Sequence, residues 1–374
     1  MTEKQSNLLR IFERARKEKV AIGLFGGYGI GKSSLIYQYS LMKSMESGRE
    51  LKIWHELTER EKKEILENPE KYFIVVDIKG SLISLDNLVI PIPVNDGIKW
   101  EVPLWMKVLE NEKSMGILFI DEVNMTLPSL QSLLFELVFQ RKLGESTIKG
   151  DVLIITAGND LESNNVAKEL PQPLINRMIF INANEIFDID AWLEYAKNVN
   201  IDNRIIGWVL FNNRNISYSN DVMKQSTTPR SLEMLSKMIN GEKDMNYIRM
   251  VAYGLLEPND ALQFTAFIEL YEKFSDIDKY IDNIELLYDL KEDERIIIMM
   301  KITERYINDK LTLEKYYNIL DGLSNISKML VVFSLRYLKY QNSDKFKILL
   351  DKVIKENGKV YNLLGQMLEF ENKL

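Results

Sequence analysis

Val20-Ala21-Ile22-Gly23-Leu24-Phe25-Gly26-Gly27-Tyr28-Gly29-Ile30-Gly31-Lys32-Ser33-Ser34 is the stretch whose reading decides the fold. Its first six residues are an apolar run of strand length, Gly26 to Ser33 satisfies GxxxxGKS, and Leu35, Ile36 and Tyr39 follow at helical spacing. Strand, glycine loop and helix in that order make a phosphate-binding loop. The glycines let the backbone curl until successive N–H groups and the helix N-terminus face one point, which suits a polyanionic phosphate. In that arrangement Gly26, Gly27, Tyr28, Gly29, Ile30, Gly31, Lys32, Ser33 and Ser34 surround the phosphates. The Lys32 ammonium reaches the β and γ groups, and the Ser33 hydroxyl holds Mg²⁺.

Two later strands carry polar tips. Gly116-Ile117-Leu118-Phe119-Ile120 is apolar throughout, as suits a central parallel strand covered on both faces, and it ends in Asp121-Glu122. The C-terminal tip of such a strand is where an open α/β sheet binds its ligand. Asp121 is therefore expected to hold Mg²⁺, directly or through water, and Glu122, aimed differently, to polarise an attacking water. Val152 to Thr156 repeats the pattern and runs into Ala157-Gly158-Asn159-Asp160. The neutral Asn159 amide suits positioning a water near the γ-phosphate. Between these strands, Leu127 to Leu143 reads as an amphipathic helix and Gly144 to Asp151 as a short turn-rich segment.

Working outward, Asn7 to Lys19 has its apolar residues at helical spacing and is expected to pack against the sheet. Arg49 to Lys71 is charged and reads as a helical surface segment; its His55, the single histidine of the chain, is assigned no chemistry. Tyr72 to Val76 is a buried-strand pattern closed by Asp77. Leu88 to Val102 alternates around Asn95-Asp96-Gly97, a hairpin turn, so two short strands are expected there. Such a hairpin either covers a sheet edge or touches a substrate or neighbour.

Composition sets the outer limits. A chain of 374 residues, 46% hydrophobic, has room for two or three domains and a sizeable core. The absence of cysteine excludes disulfides, thiolate metal sites and Cys/His nucleophile pairs, and fits a reducing, cytoplasmic compartment. No apolar run approaches membrane-spanning length, so no membrane insertion is expected. A net charge of −7 gives no overall electrostatic footprint for nucleic acid, although a local basic pore stays open as an alternative.

Beyond Glu185 the pattern turns helical, with Ile189 to Val199, Asn203 to Phe211, Leu232 to Ile239, Tyr247 to Leu256 and Asp260 to Phe274. Thr228 fits an N-cap and Pro229 the first helical position, so Arg230 falls in a first turn that can face phosphate. A cation there opposes the helix dipole, which argues for a functional reason. From Ser275 to Leu374 there is no chemical motif, only short amphipathic helices: Glu292 to Tyr306, Thr312 to Leu323, Ile326 to Tyr340 and Lys345 to Lys355. They read as packing core, with a docking surface as the alternative.

In order and spacing the phosphate loop, Ile120-Asp121-Glu122-Val123-Asn124, Ala157-Gly158-Asn159 and Leu170-Pro171 through Asn176-Arg177 resemble the AAA+ ATPases, over residues 15 to 275. Asp121-Glu122-Val123-Asn124 and Leu170-Pro171-Gln172-Pro173-Leu174-Ile175-Asn176-Arg177-Met178 look most like the MoxR branch. The chain departs from that branch at Met125, where a basic residue is usual. The resemblance implies an α/β P-loop NTPase core over residues 1–185, a parallel five-stranded sheet flanked by helices, with an N-terminal helix over 1–19 and an inserted β-hairpin over 88–102. An α-helical lid follows over 186–275. Residues 276–374 form an α-helical C-terminal extension outside the match.

It also implies function. Proteins of this branch hydrolyse ATP with Mg²⁺, assemble as rings that are commonly hexameric, and remodel protein partners, frequently beside a protein with a von Willebrand factor A domain. Arg177 matches the arginine finger given to the neighbouring subunit's nucleotide, a role that suits a planar, permanently charged guanidinium. Arg230 matches the sensor 2 arginine of the lid. Three other readings stay open: a nucleic-acid motor of the same superfamily, a nucleotide-gated scaffold with slow hydrolysis, and a monomeric P-loop enzyme such as a kinase. The acidic balance argues against the first, and Arg177 and Arg230 would have no shared purpose in the last.

Overall fold

Apolar runs from distant parts of the sequence assemble into one parallel sheet. The computed structural model describes residues 3–84, 88–95, 97–159, 175–186, 189–212 and 225–371. The chain divides into two compact units, Met1–Asp188 and Ile189–Leu374.

In the first unit the strands are β1 (Ile22–Phe25), β2 (Glu50–Ile53), β3 (Tyr72–Lys79), β4 (Ile90–Val94), β5 (Gly97–Glu101), β6 (Met115–Asp121), β7 (Lys142–Leu143), β8 (Ser146–Thr147), β9 (Asp151–Gly158) and β10 (Ile179–Asn182). Six of them form the main sheet in the order β10-β1-β9-β6-β3-β2. Every pairing in it is parallel. β1, most of β6 and β9 and the first five residues of β3 are buried, whereas β2 and β10 at the edges are not. Burial on both faces explains why the central strands read as unbroken apolar runs. The register pairs Leu118 with Ile154 and Phe25 with Gly158, so the tips carrying Gly26, Asp121 and Asn159 share one edge of the sheet.

Among the described residues the sheet has six strands, not the expected five. The added strand is β2, which lies in the segment read as a helical surface and pairs with β3 from Glu50↔Tyr72 to Ile53↔Val75. Glu50 and Lys52 place charge on this edge, where it discourages pairing with another chain. Further along, the same segment does turn helical, over Glu59–Glu67.

The helices of this unit are α1 (Glu3–Glu18), α2 (Lys32–Ser47), α3 (Glu59–Glu67), α4 (Leu104–Glu110) and α5 (Pro128–Phe135). A Thr58–Glu61 capping box opens α3. Leu8, Phe12 and Ala15 of α1 are buried, and Phe12 meets Tyr39 of α2 edge to face at 5.2 Å. The helix read over Leu127 to Leu143 ends its regular turns at Phe135, continues as a π turn over Glu136–Gln140, and gives way at Arg141, φ 57°, to the small β7/β8 hairpin. β4 and β5 pair as expected, around a turn whose Asp96 lies outside the described residues. They form a separate sheet whose side chains are largely exposed.

The second unit is helical, with helices at Ile189–Ala196, Asn203–Asn212, Pro229–Ile239, Met245–Leu255 and Pro258–Lys273, and further ones at Glu292–Ile307, Leu313–Ile326, Lys328–Gln341 and Ser343–Glu356. The final helix, Lys359–Glu371, is absent from the sequence reading. One apolar core runs through the unit from Trp192 to Leu364. None of the described helices is long and apolar enough to cross a membrane.

Candidate nucleotide site

β1 delivers the chain to the sheet edge at Gly26, and the next residues turn back into α2. Gly29 (φ 70°) and Gly31 (φ 108°) take left-handed conformations that an L side chain resists, so the curl of the loop requires glycine at these two positions. Gly31 is the N-cap of α2 and brings no side chain to cap it, so the first N–H groups of the helix are left for an anion to satisfy. The start of the loop is held on two sides. Gly26 N–H donates to Gly158 O at 3.3 Å, and Gly27 N–H donates to Asn184 Oδ1 at 2.8 Å.

Lys32 is buried, 7% exposed, with its ammonium folded over the loop. It donates to the carbonyls of Gly26 and Gly27, both at 2.8 Å, and to Asn159 Oδ1 at 3.3 Å. A buried cation satisfied by carbonyls and one amide can exchange them for phosphate oxygens within reach of the same position. Ser33, the next residue, donates its hydroxyl to Asp121 Oδ2 at 3.2 Å.

At the tip of β6 the two acids part. Asp121 turns one oxygen to Ser33 and accepts Glu122 N–H at 2.9 Å with the other. Glu122 has φ 52° and ψ 37°, a left-handed conformation for a non-glycine residue that costs about 1–2 kcal/mol. That turn separates the two carboxylates in direction. Ser81 Oγ donates to Glu122 Oε2. Gly80 makes the approach of this segment possible, since a Cβ there would stand 2.5 Å from Glu122 O.

Asn159 is fixed through its backbone. The buried Asn124 side chain donates to Asn159 O at 2.7 Å and accepts Asn159 N–H at 3.3 Å, leaving the Asn159 amide side chain turned to Lys32. Hard oxygen donors at Ser33 and Asp121 fit Mg²⁺, which takes one or two protein ligands beside substrate phosphates and water. Among the described residues no cluster of three His, Cys, Asp or Glu side chains stands ready to hold another kind of metal.

Lys32, Ser33, Asp121, Glu122 and Asn159 therefore meet at one sheet edge. Arg177 lies just before β10, exposed, with its guanidinium 5.0 Å from the centre of the Phe139 ring. Arg230 belongs to the second unit, where it is exposed in the first turn of Pro229–Ile239 behind a capping box of Thr228 and Ser231. Asp160 and the run Leu170 to Leu174 lie outside the described residues.

Ser81 and Asn184 stand in no motif, and Asn124 is legible only as the end of the Asp121-Glu122-Val123-Asn124 run, so none of the three is marked as functional by the sequence. His55 is not merely solvated: its Nδ1 is 2.6 Å from Asp77 Oδ1, and Tyr37 donates to the other oxygen of Asp77 at 3.0 Å. Burial and the Asp77 charge push the Tyr37 hydroxyl pKa up. Tyr37 is one helical turn beyond Ser33 on α2, so this cluster backs the site.

No protein-family model matches the chain, and no curated protein matches it. Among solved structures it is similar to the Thermotoga maritima RuvB Holliday junction branch migration motor, at 14% identity and a TM-score of 0.34 over 76% of this chain and 77% of that one. It is also similar to NtrX from Brucella abortus, at 12% identity and a TM-score of 0.34 over 80% and 68% of the two chains. The Hsp104–ADP complex of S. cerevisiae gives 12% identity and a TM-score of 0.31 over 98% of this chain and 47% of that one.

Proposed function

We propose that the chain is a Mg²⁺-dependent ATPase of the AAA+ class. The observation that carries this is the contact between Ser33 and Asp121, which joins the end of the glycine loop to the acid-tipped strand 88 residues away. A glycine loop alone speaks for phosphate binding, and an acidic strand tip alone for little. Their meeting through the two oxygen groups suited to Mg²⁺, with Glu122 beside them, speaks for hydrolysis of a nucleoside triphosphate.

In this reading the loop N–H groups and Lys32 would hold the phosphates, and Ser33 and Asp121 would hold Mg²⁺, whose chemistry when bound would be neutralisation of charge on the transferred phosphoryl group. Glu122 accepts the proton of the attacking water, and the Asn159 amide orients that water. Arg230 serves the same subunit's nucleotide and Arg177 a neighbour's, as the resemblance implies. The active form is then a ring, a hexamer in the MoxR-like branch, that remodels or assembles a protein partner, with a von Willebrand factor A domain protein as candidate.

Nucleotide binding and turnover test it. Lys32→Ala is expected to lose binding, and Glu122→Gln to bind ATP with turnover lowered about 10²-fold or more. Wild-type affinity in Lys32→Ala would remove the site. For the shared-site proposal, Arg177→Ala subunits mixed with Glu122→Gln subunits recover part of the activity. No recovery at any ratio, with rings confirmed by mass, assigns Arg177 elsewhere.

A further inference from the structure

The loop is embedded in a continuous line of hydrogen bonds along the sheet edge. It runs from the Asn124 side chain to the backbone of Asn159, from the Asn159 side chain to Lys32, from Lys32 to the carbonyl of Gly27, and from Gly27 N–H to Asn184 Oδ1. Asn184 ends the line on the far side of β1 from β9. It sits directly after β10 in a short turn, Ala183–Glu185, where its own N–H donates to Asn182 Oδ1 at 3.1 Å. The fit is close: a Cβ on Gly26 would stand 2.7 Å from Asn184 Oδ1 and 3.1 Å from Ala183 Cβ.

We propose that Asn184 is a positioning residue of the phosphate loop, whose amide oxygen on Gly27 N–H sets the first turn so that the N–H groups from Gly29 onward face a nucleoside triphosphate. This rests on the nucleotide reading of the site. The geometry divides the loop's work: Gly26 and Gly27 are anchored to Gly158 and Asn184, and the curl through Gly29 and Gly31 then has a fixed origin. Asn184 presents a neutral oxygen, so it holds the loop without adding negative charge beside the phosphates. Its action is on the shape of the ground state, which places its effect in binding.

Two measurements on the full chain decide this. With Mg-ATP as the probe, Asn184→Ala is expected to raise KM and the ADP dissociation constant about tenfold, the loss of one well-placed hydrogen bond, with kcat within about threefold of wild type. By residue-resolved hydrogen exchange without nucleotide, the Gly27 amide of Asn184→Ala exchanges about tenfold faster than wild type. Asn184→Asp keeps an oxygen at that place and restores the protection, while its added charge still weakens ATP binding. Unchanged KM together with unchanged Gly27 exchange overturns the proposal, as does a fall in kcat and thermal stability without a change in KM. Should Lys32→Ala bind nucleotide as well as wild type, the nucleotide reading fails, and the exchange arm still reports whether Asn184 holds the loop.

Discussion

The Ser33 hydroxyl donates to Asp121 Oδ2 across 3.2 Å, so the first turn of α2 and the tip of β6 are joined by two oxygen groups. An ion seated between phosphate and protein here would meet both. Asp121→Asn keeps the size of the side chain and removes its charge. It is expected to raise the Mg²⁺ concentration for half-maximal ATP turnover about tenfold to a hundredfold or more, since loss of an outer-shell partner alone costs a metal site about that much. A Mg²⁺ titration of turnover checks this, and an unchanged midpoint would place the metal elsewhere.

Glu122 and Ser81 should separate in kinetics although they touch. Glu122→Gln removes the proton acceptor, and about 10²- to 10⁴-fold of rate goes with a general base. Ser81→Ala removes one hydroxyl donor, about 1 kcal/mol of orientation, and should change kcat by less than about tenfold in either direction. Single-turnover measurements with ATP separate the two. Equal losses would mean that Ser81 itself handles the proton.

Two glycines outside the loop are needed for different reasons, and unfolding experiments can tell them apart. A Cβ on Gly116 of β6 would lie 1.9 Å from Ile74 O of β3, a backbone atom in the middle of the sheet. Gly116→Ala must push two paired strands apart and is expected to cost about 1–3 kcal/mol or more. Gly48, which ends α2 at φ 67°, has open space around it, so Gly48→Ala meets only the left-handed backbone penalty of about 1–2 kcal/mol. Removal of Gly116's neighbour by Ile74→Ala would not rescue Gly116→Ala, because the obstacle is a carbonyl. Rescue would show the strands to be separable at this point.

What could be read from the sequence follows from how locally each feature is encoded. The phosphate loop, the Asp121-Glu122 tip and the Asn159 tip are each written within a few consecutive residues, because glycine conformation and strand-end chemistry are local properties. β2 was not legible: Leu51 and Ile53 alternate over only four residues, and Glu50, Lys52 and the charged helix after them carry the signal of a surface helix. Asn184 was not legible for another reason. Its partner is 157 residues away, and an asparagine in a turn is common for its own backbone bonding. The pairing of His55 with Asp77 is likewise tertiary, made when β3 brings Asp77 beside the segment after β2. The π turn at Glu136–Gln140 ends a helix whose apolar period continues past it, so periodicity overran the true end.

In the second unit, Glu304 is a carboxylate held between helices, accepting Tyr271 OH at 2.8 Å and Tyr337 OH at 2.7 Å. Burial pushes its pKa above the ordinary 4.5, and the two tyrosine donors and the Lys301 charge only partly oppose that. An acid whose native pKa is raised binds its proton more tightly folded than unfolded. Its contribution to stability is full below 4.5 and is lost as pH rises through the native value. Glu304→Gln has no proton to bind there. The thermal midpoint of wild type relative to Glu304→Gln should therefore rise as pH is lowered from 7 towards 4.5, with paired scans at each pH as the measurement. A relative midpoint that falls over the same range would mean that the tyrosine hydrogen bonds outweigh burial and that the native carboxylate is the stabilised form.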